Sequence, residues 1–432
     1  MAKTTEHRRQ GPSRRTLLKG AAAVAGVAAG TKALGGFPTV WAQDTKDIVI
    51  NHSGMSYSTI IQIAEQATVD LPFSVEMSVT DHAGMLNRLT TQSDSIDVAD
   101  IELWMRVITV PRGIYQAVEP AKITHWDKAT TIYRDGQLDG KQISRQGVSP
   151  HEVMYFTDAD AREIADGNTD HATMIPGVFN ADTLGIQPDA IGRPINNWHE
   201  LFNEEFSGRA AGMDIPPIMI MDAALAIEST GEYTYADKGN MTEEEITMTV
   251  DRLIDLKKKG HWRALWGTFD QSVQLMTSGE VVIQSMWSPA VTAVRAQGVP
   301  CIYQPLAEGY RGWGNGLSLM SHLEGKRLGA AYDYLNWYYS GWMGAFIAKQ
   351  GYYLGVAETA KAFMEPYEWD YWYEGKPAEG PIHDPYGTLM EKPGHVRDGG
   401  SFSQRFGNMA CWNTLMDNHQ FLLKKWTELQ TA

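Results

Sequence analysis

An α/β fold with room for two lobes is the architecture this sequence predicts, and three observations predict it. Short apolar runs alternate with amphipathic stretches from residue 47 to 104 and again from 208 to 304, the pattern of strands feeding helices. One helix, opening at Thr242, is punctuated at both ends. The chain is 432 residues long, 43% hydrophobic and 21% charged, enough to bury a core in each of two domains and unlike a disordered or membrane protein.

The run DIVIN at 47–51 predicts a buried strand that delivers His52 and Ser53 to a loop. A helix follows from Ser58, with Ile60, Ile61, Ile63 and Ala64 among its apolar positions, and then an alternating strand at 73–79. A second helix carries Met85, Leu86 and Leu89 and leads to IDVADIELW, a strand ending at Glu102 and Trp104. Sheets of this kind bind ligands beyond the carboxyl ends of their strands.

Residues 127–170 turn polar and irregular and read as a surface excursion, with DGQLDG as a turn. Apolar residues return at 172–185. Asn197 opens a helix, NWHELFNEEF, with Glu200 as its capping partner. GRAAGMDIPP is a strand running into a proline-terminated loop, with Asp214 at the strand's end. In the helix at Thr242, Glu245 completes a capping box and Ile246, Val250, Leu253 and Ile254 form one apolar stripe. Lys257, Lys258 and Lys259 meet the negative end of its dipole before Gly260 stops it.

A shorter helix at 268–278 ends at Gly279, and VVIQSMW is a buried strand that presents Trp287. SPAVTAVRAQG is helical, and VPCIYQP returns the chain to EGYRGWGNGLSL at 308–319. That segment reads as a glycine-rich loop ahead of the helix GKRLGAAYDYLNWYYSG, which is followed by the aromatic turn AKQGYYLG.

The first 42 residues read separately. SRRTLLKG is a twin-arginine element, the apolar run AAAVAGVAAG is too short to span a membrane, and Val40, Trp41 and Ala42 form a small-x-small-like cleavage site. The expectation is a protein exported folded to the periplasm, and not a lipoprotein because no Cys follows the apolar run. Removing the segment takes away seven Lys/Arg and one Glu, leaving 30 basic and 51 acidic residues and a net charge of −21, against −15 for the whole chain. Such a field repels nucleic acid and anionic lipid and favours cationic solutes. Cys301 and Cys411 are the only cysteines, too few for a four-Cys zinc site; a single bridge and two buried thiols both remain open.

Four features, in this order and spacing, carry a family resemblance: NNWHELFNEEFSGR, the strand ending in Trp287, EGYRGWGNGLSL followed by a helix containing LNWYYSG, and KQGYY. Over nearly its whole mature length the chain resembles the family-1 extracellular solute-binding proteins of ABC importers, and among them the spermidine/putrescine-binding branch. The resemblance implies a two-lobed periplasmic-binding-protein fold of type II, with crossings near 177–183 and 297–304 and a ligand cleft between lobes. Lobe one would comprise 43–176 and 304–432 with the C-terminal helices, and lobe two 177–303. It also implies a monomeric receptor that closes on a small-molecule solute and docks on an ABC permease in the inner membrane.

In such a polyamine site, rings stack on the ligand while carboxylates neutralise its amines; a cation over a ring gains roughly 0.5–2 kcal/mol and a charged hydrogen bond roughly 1.5–3. By the resemblance, Trp287, Trp313 and Tyr352 match the family's aromatic positions, Trp104 stands where it has a Tyr, and Asp214 falls near its acidic pair. Asn315 replaces a carboxylate, Glu102 supplies a charge in its stead, and His52 and Ser53 replace an aromatic and a hydroxyl residue. Arg311 or Arg106 would pair with a carboxylate if the solute were zwitterionic. The expected solute is thus a small organic cation, with a sugar or an amino-acid-like zwitterion as the alternative.

The run EPYEWDYWYEG at 365–375 reads as a packed surface segment. The adjacent tyrosines Tyr338–Tyr339 and Tyr352–Tyr353 raise ferric iron, but no His/Asp/Glu cluster with metal spacing accompanies them. No CxxC series, GxGxxG after a strand, GxSxG or HExxH is present, so neither an enzyme nor a cofactor is expected.

Overall fold

The computed structural model describes residues 45–432, so the twin-arginine segment and its cleavage site lie outside the described residues. Twelve strands form the main sheet: β1 (Val49–Gly54), β2 (Ser74–Val79), β3 (Val98–Glu102), β4 (Tyr115–Gln116), β5 (Ile175–Ile186), β6 (Ala210–Met213), β7 (Trp262–Trp266), β8 (Ile283–Met286), β9 (Ile302–Gln304), β10 (Tyr310–Met320), β11 (Tyr353–Leu354) and β12 (Met409–Trp412). Their order is β2-β1-β3-β10-β5-β8-β6-β7, with β4 and β12 on β10 and β9 and β11 on β5. β1 runs parallel to β2 and β3, and β6 runs parallel to β7 and β8. Each lobe of this two-lobed α/β fold thus has its own parallel set.

Two long, wholly buried strands join the sets. β5 pairs with β10 as far as Asp182 and with β8 and β9 from Thr183 onward, so the expected crossing at 177–183 is one continuous strand. Its return partner, β10, is the segment read as a glycine-rich loop. The glycines are there because neighbours press on the strand: a Cβ on Gly314 would sit 2.1 Å from the Tyr133 hydroxyl, and one on Gly312 would meet the Trp412 ring at 2.6 Å.

The principal helices are α1 (Ile61–Asp70), α2 (His82–Thr91), α3 (Leu103–Thr109), α4 (Pro216–Glu228), α5 (Glu243–Lys258), α6 (Phe269–Thr277), α7 (Ser288–Ala296), α8 (Gly325–Tyr338), α9 (Trp342–Ala348), α10 (Pro366–Trp372) and α11 (His419–Thr431). Helix α5 forms as its sequence dictates. The Thr242 hydroxyl accepts the Glu245 N–H at 3.2 Å, the Glu245 carboxylate accepts the Thr242 N–H at 2.9 Å, and Ile246, Val250 and Leu253 are buried.

Other local expectations change. The proline-terminated loop after β6 is α4, because Pro216 and Pro217 occupy first-turn positions, where a missing N–H costs nothing. The helix expected from Asn197 is two short 3₁₀ turns: Glu200 is drawn to Arg193 and Asn203, and Asn197 donates to Glu308. The polar excursion is partly core, since Ile132, Tyr133, Met154 and Phe156 are fully buried. Helix α11, expected in lobe one, packs on α5 and α4. Lys257 donates to the Leu429 carbonyl at 2.9 Å and the Trp426 indole to Asp214 at 2.7 Å. Cys301 and Cys411 are both free and buried, and burial pushes each thiol up to about 12.

Candidate functional site

The strand ends of the first lobe bring together residues far apart in sequence. Glu102 closes β3 opposite Asn315 of β10, and Trp104 follows on the first turn of α3. Tyr57 comes from the loop after β1, Trp313 from β10, and Tyr352 from the turn before β11. The Trp313 ring lies 4.6 Å from Tyr57, tilted, and 5.7 Å from Tyr352, edge to face, and Tyr57 and Tyr352 are 6.4 Å apart, so three rings cluster.

Glu102 supplies the charge beside these rings. One oxygen accepts the Trp104 indole N–H at 2.7 Å; the other lies 3.0 Å from His82 Nε2 and accepts the Tyr57 hydroxyl at 3.4 Å. Burial alone would raise this carboxyl, but the neighbouring His82 charge, the His82 and Trp104 hydrogen bonds and the more distant Arg311 hold it below its usual range. The group is an anion near neutral pH, and it is nearly covered by aromatic surface.

The expected cationic partners for a carboxylate-bearing solute are spent elsewhere. Arg106 is wholly buried and donates to the carbonyls of Ile101, Glu102 and Gly316 and to Ser318, bracing β3 against β10. Arg311 is equally buried. Its Nε donates to Asp222 at 2.8 Å and its Nη1 to Asn413 at 2.7 Å, with Asp182 3.5 Å away. Burial pushes Asp182 up to about 6, against the opposing pull of Arg311 and of hydrogen bonds from Tyr303 and Trp313. The Trp313 indole therefore links the ring group to this buried ionic junction.

Several sequence-predicted site residues turn out to be struts. Asn315 sits at a bulge in β10 and its amide is used at both ends: the carbonyl accepts the Val178 N–H and the NH₂ donates to Ser58 at 2.9 Å. Ser53 is sealed inside β1, accepting from Arg88 at 2.8 Å and donating to the Ser78 carbonyl. His52 lies within the same strand rather than on a loop, hydrogen-bonded to Tyr334 at 2.8 Å. Asp214 is pinned by Trp426 and Gln430 of α11, away from the rings. Trp287, at the N-terminus of α7, belongs to a second group with Trp266 at 5.0 Å and Phe269 at 6.4 Å.

Tyr57, His82 and Asp182 are the residues that sequence reasoning missed. Tyr57 and His82 each lie three residues beyond the end of a parallel strand, a position the strand-end rule could have flagged. The tyrosine pairs do not converge as a metal site would: Tyr339 donates to the Pro176 carbonyl and Tyr353 to that of Trp372. Among the described residues no group of three His, Cys, Asp or Glu is placed to hold a metal. A surface hollow of about 470 Å³ lined by Gln62, Glu65, Trp342 and Phe346 is built from the flanks of α1 and α9, not from strand ends.

Solved structures share this architecture. The spermidine/putrescine ABC transporter substrate-binding protein PotD from Streptococcus pneumoniae aligns with TM-score 0.59 at 12% identity, covering 89% of this chain and 97% of its own. An ABC transporter substrate-binding protein from Bradyrhizobium japonicum USDA 110 aligns with TM-score 0.56 at 16% identity, covering 88% and 98%. The binding protein MotA from A. tumefaciens B6, solved with glucopine, aligns with TM-score 0.54 at 13% identity, covering 89% and 99%. A search of curated proteins gave no match. The sequence pattern of a bacterial extracellular solute-binding protein family matches residues 42–368, and with that match spanning most of the sequence, the chain belongs to this family.

Proposed function

We propose that the protein is the receptor of an ABC importer, exported folded by the twin-arginine route to the periplasm, and that it binds a small organic cation between its lobes. The observation that carries this reading is Glu102: an ionised carboxylate bonded to Tyr57 and Trp104, with Trp313 and Tyr352 packed on Tyr57, and with Arg106 and Arg311 both bonded to other partners. An ammonium placed there gains a charged hydrogen bond and ring faces together. A zwitterion's carboxylate would meet guanidinium groups already bonded to the backbone, Asp222 and Asn413. Trp287 serves as the opposing wall, approaching as the lobes close about β5 and β10.

The proposed lobes are 43–176 with 304–432, and 177–303; α11 packs on α5 and α4. The names of solved relatives support a small-solute receptor: one is a spermidine/putrescine-binding protein and another was solved with glucopine. A protein that only binds is stabilised by its ligand through mass action and turns nothing over. Native mass spectrometry of the protein purified from the cell envelope, followed by a thermal-shift panel of polyamines, betaines, amino acids and sugars, tests the assignment. Stabilisation by a sugar or amino acid with none by any amine would replace it.

A further inference from the structure

His82 opens α2, held by the Asp81 cap that accepts the Gly84 N–H at 2.7 Å. Its imidazole stacks on Trp104 with ring centres 5.9 Å apart and planes 30° apart, and its Nε2 lies 3.0 Å from Glu102. The His82 side chain is 48% exposed and that of Glu102 only 8%, so the imidazole stands between the carboxylate and solvent. It holds the Glu102 oxygen not taken by the Trp104 indole. In charge, position and stacking partner, protonated His82 does what a solute ammonium would do.

Resting on the reading of this site as a cation receptor, we infer that His82 is the site's own competing cation, which a solute ammonium must displace from Glu102, so that binding releases a proton. The groups facing the imidazole are Asp81 on its own helix, Glu102 at the end of β3 and Trp104 on α3. Tyr57 and Arg311 act on it only through Glu102. Partial burial disfavours the imidazolium, but the charge and hydrogen bond of Glu102, with the charge of Asp81, outweigh it and raise His82 above its ordinary value.

The sign follows by linkage. A displaced imidazole holds its proton less tightly than His82 paired with Glu102, so between the two pKa values binding releases a proton and affinity rises with pH, levelling off on either side. A carboxylate without such a partner would bind amines equally across this range.

Calorimetric titration of the exported protein with putrescine, from about pH 5.5 to about pH 8.5 and in buffers of different ionisation enthalpy, tests this. The expected results are a Kd that falls as pH rises through the His82 titration and a proton release that peaks within it. In His82→Gln the slope should be lost and acid-side affinity should be higher than in the wild type. A flat wild-type profile, or an unchanged slope in the variant, overturns the inference. If putrescine and spermidine bind at no pH, the cation-receptor reading fails and the displacement fails with it. The His82–Glu102 pairing is then decided separately by imidazole NMR titration of the unliganded protein, expected to show His82 titrating at lower pH in Glu102→Gln; no difference would overturn the pairing.

Discussion

Two sets of charged side chains flank β10, and the same strand puts them to opposite uses. At one end Arg311, Asp182 and Asp222 are fully buried, with Arg311 bonded to Asp222 and close to Asp182, and with Ser285, Tyr303 and Asn413 as further partners. At the other end Glu102 has aromatic neighbours and a half-exposed histidine. A sealed ion set costs desolvation whichever solute is present and can only hold structure. A carboxylate whose partner is exchangeable can pass its charge interaction to a ligand. Access, more than the number of charges, separates a fastening from a site.

The contrast can be broken at either end. The largest effect is expected from Arg311→Ala, which leaves two buried carboxylates facing each other. Unfolding by denaturant should show a loss of about 3–5 kcal/mol, because the stranded charges stay desolvated. The pH dependence of the same junction has a definite sign. Asp182, raised to about 6, binds a proton in the folded state before it does in the unfolded chain, so its ionisation lowers stability as pH rises from about 4 to about 6. Asp182→Asn should remove that component, as a stability profile over this range would show.

At the open end, Glu102→Gln keeps the shape and removes the charge. Amine binding by calorimetry should weaken by about 1.5–3 kcal/mol with little change in melting temperature. A large stability loss with unchanged affinity would make Glu102 a fastening too.

Asn315→Asp sharpens the comparison, because it restores the carboxylate that the family resemblance implies at this position. The Ser58 contact loses its amide donor and a charge enters a sealed bulge, so stability should fall by about 1–3 kcal/mol with no gain in amine affinity. Trp287→Ala is expected to have the smallest effect, weakening binding by about 0.5–1 kcal/mol through the loss of one ring face while the first-lobe rings keep theirs.

Much of the scaffold was legible locally. The capping box at Thr242 and the strand before Trp287 depend on residues within a few positions of one another, and both formed where periodicity and capping chemistry require. Errors arose where a distant partner outbid a local preference. Glu200 left its capping role for Arg193, and glycines suggestive of a loop became the closest-packed strand because Tyr133 and Trp412 lie against them.

For the candidate site, Trp313 and Tyr352 come from the family resemblance and Glu102 from its place at a strand end, where residue type suffices to propose a ring or a charge. Which polar groups were free could not. Asn315, Ser53, Asp214, Arg106 and Arg311 are all of the right chemical type, and each is consumed by a partner 24 or more residues away or by the backbone beneath it.

By itself, then, the amino-acid sequence determined the α/β class, the order of elements and the charge of the chain, because these follow from short-range periodicity and composition. Only the tertiary structure decided that β5 and β10 are unbroken strands joining the two parallel sets, that α11 docks on α4 and α5, and that Glu102 has a half-exposed partner in His82. The physical reason is that a hydrogen-bonding group is available to a ligand only if the fold has not already satisfied it, and satisfaction depends on contacts between segments far apart in the chain.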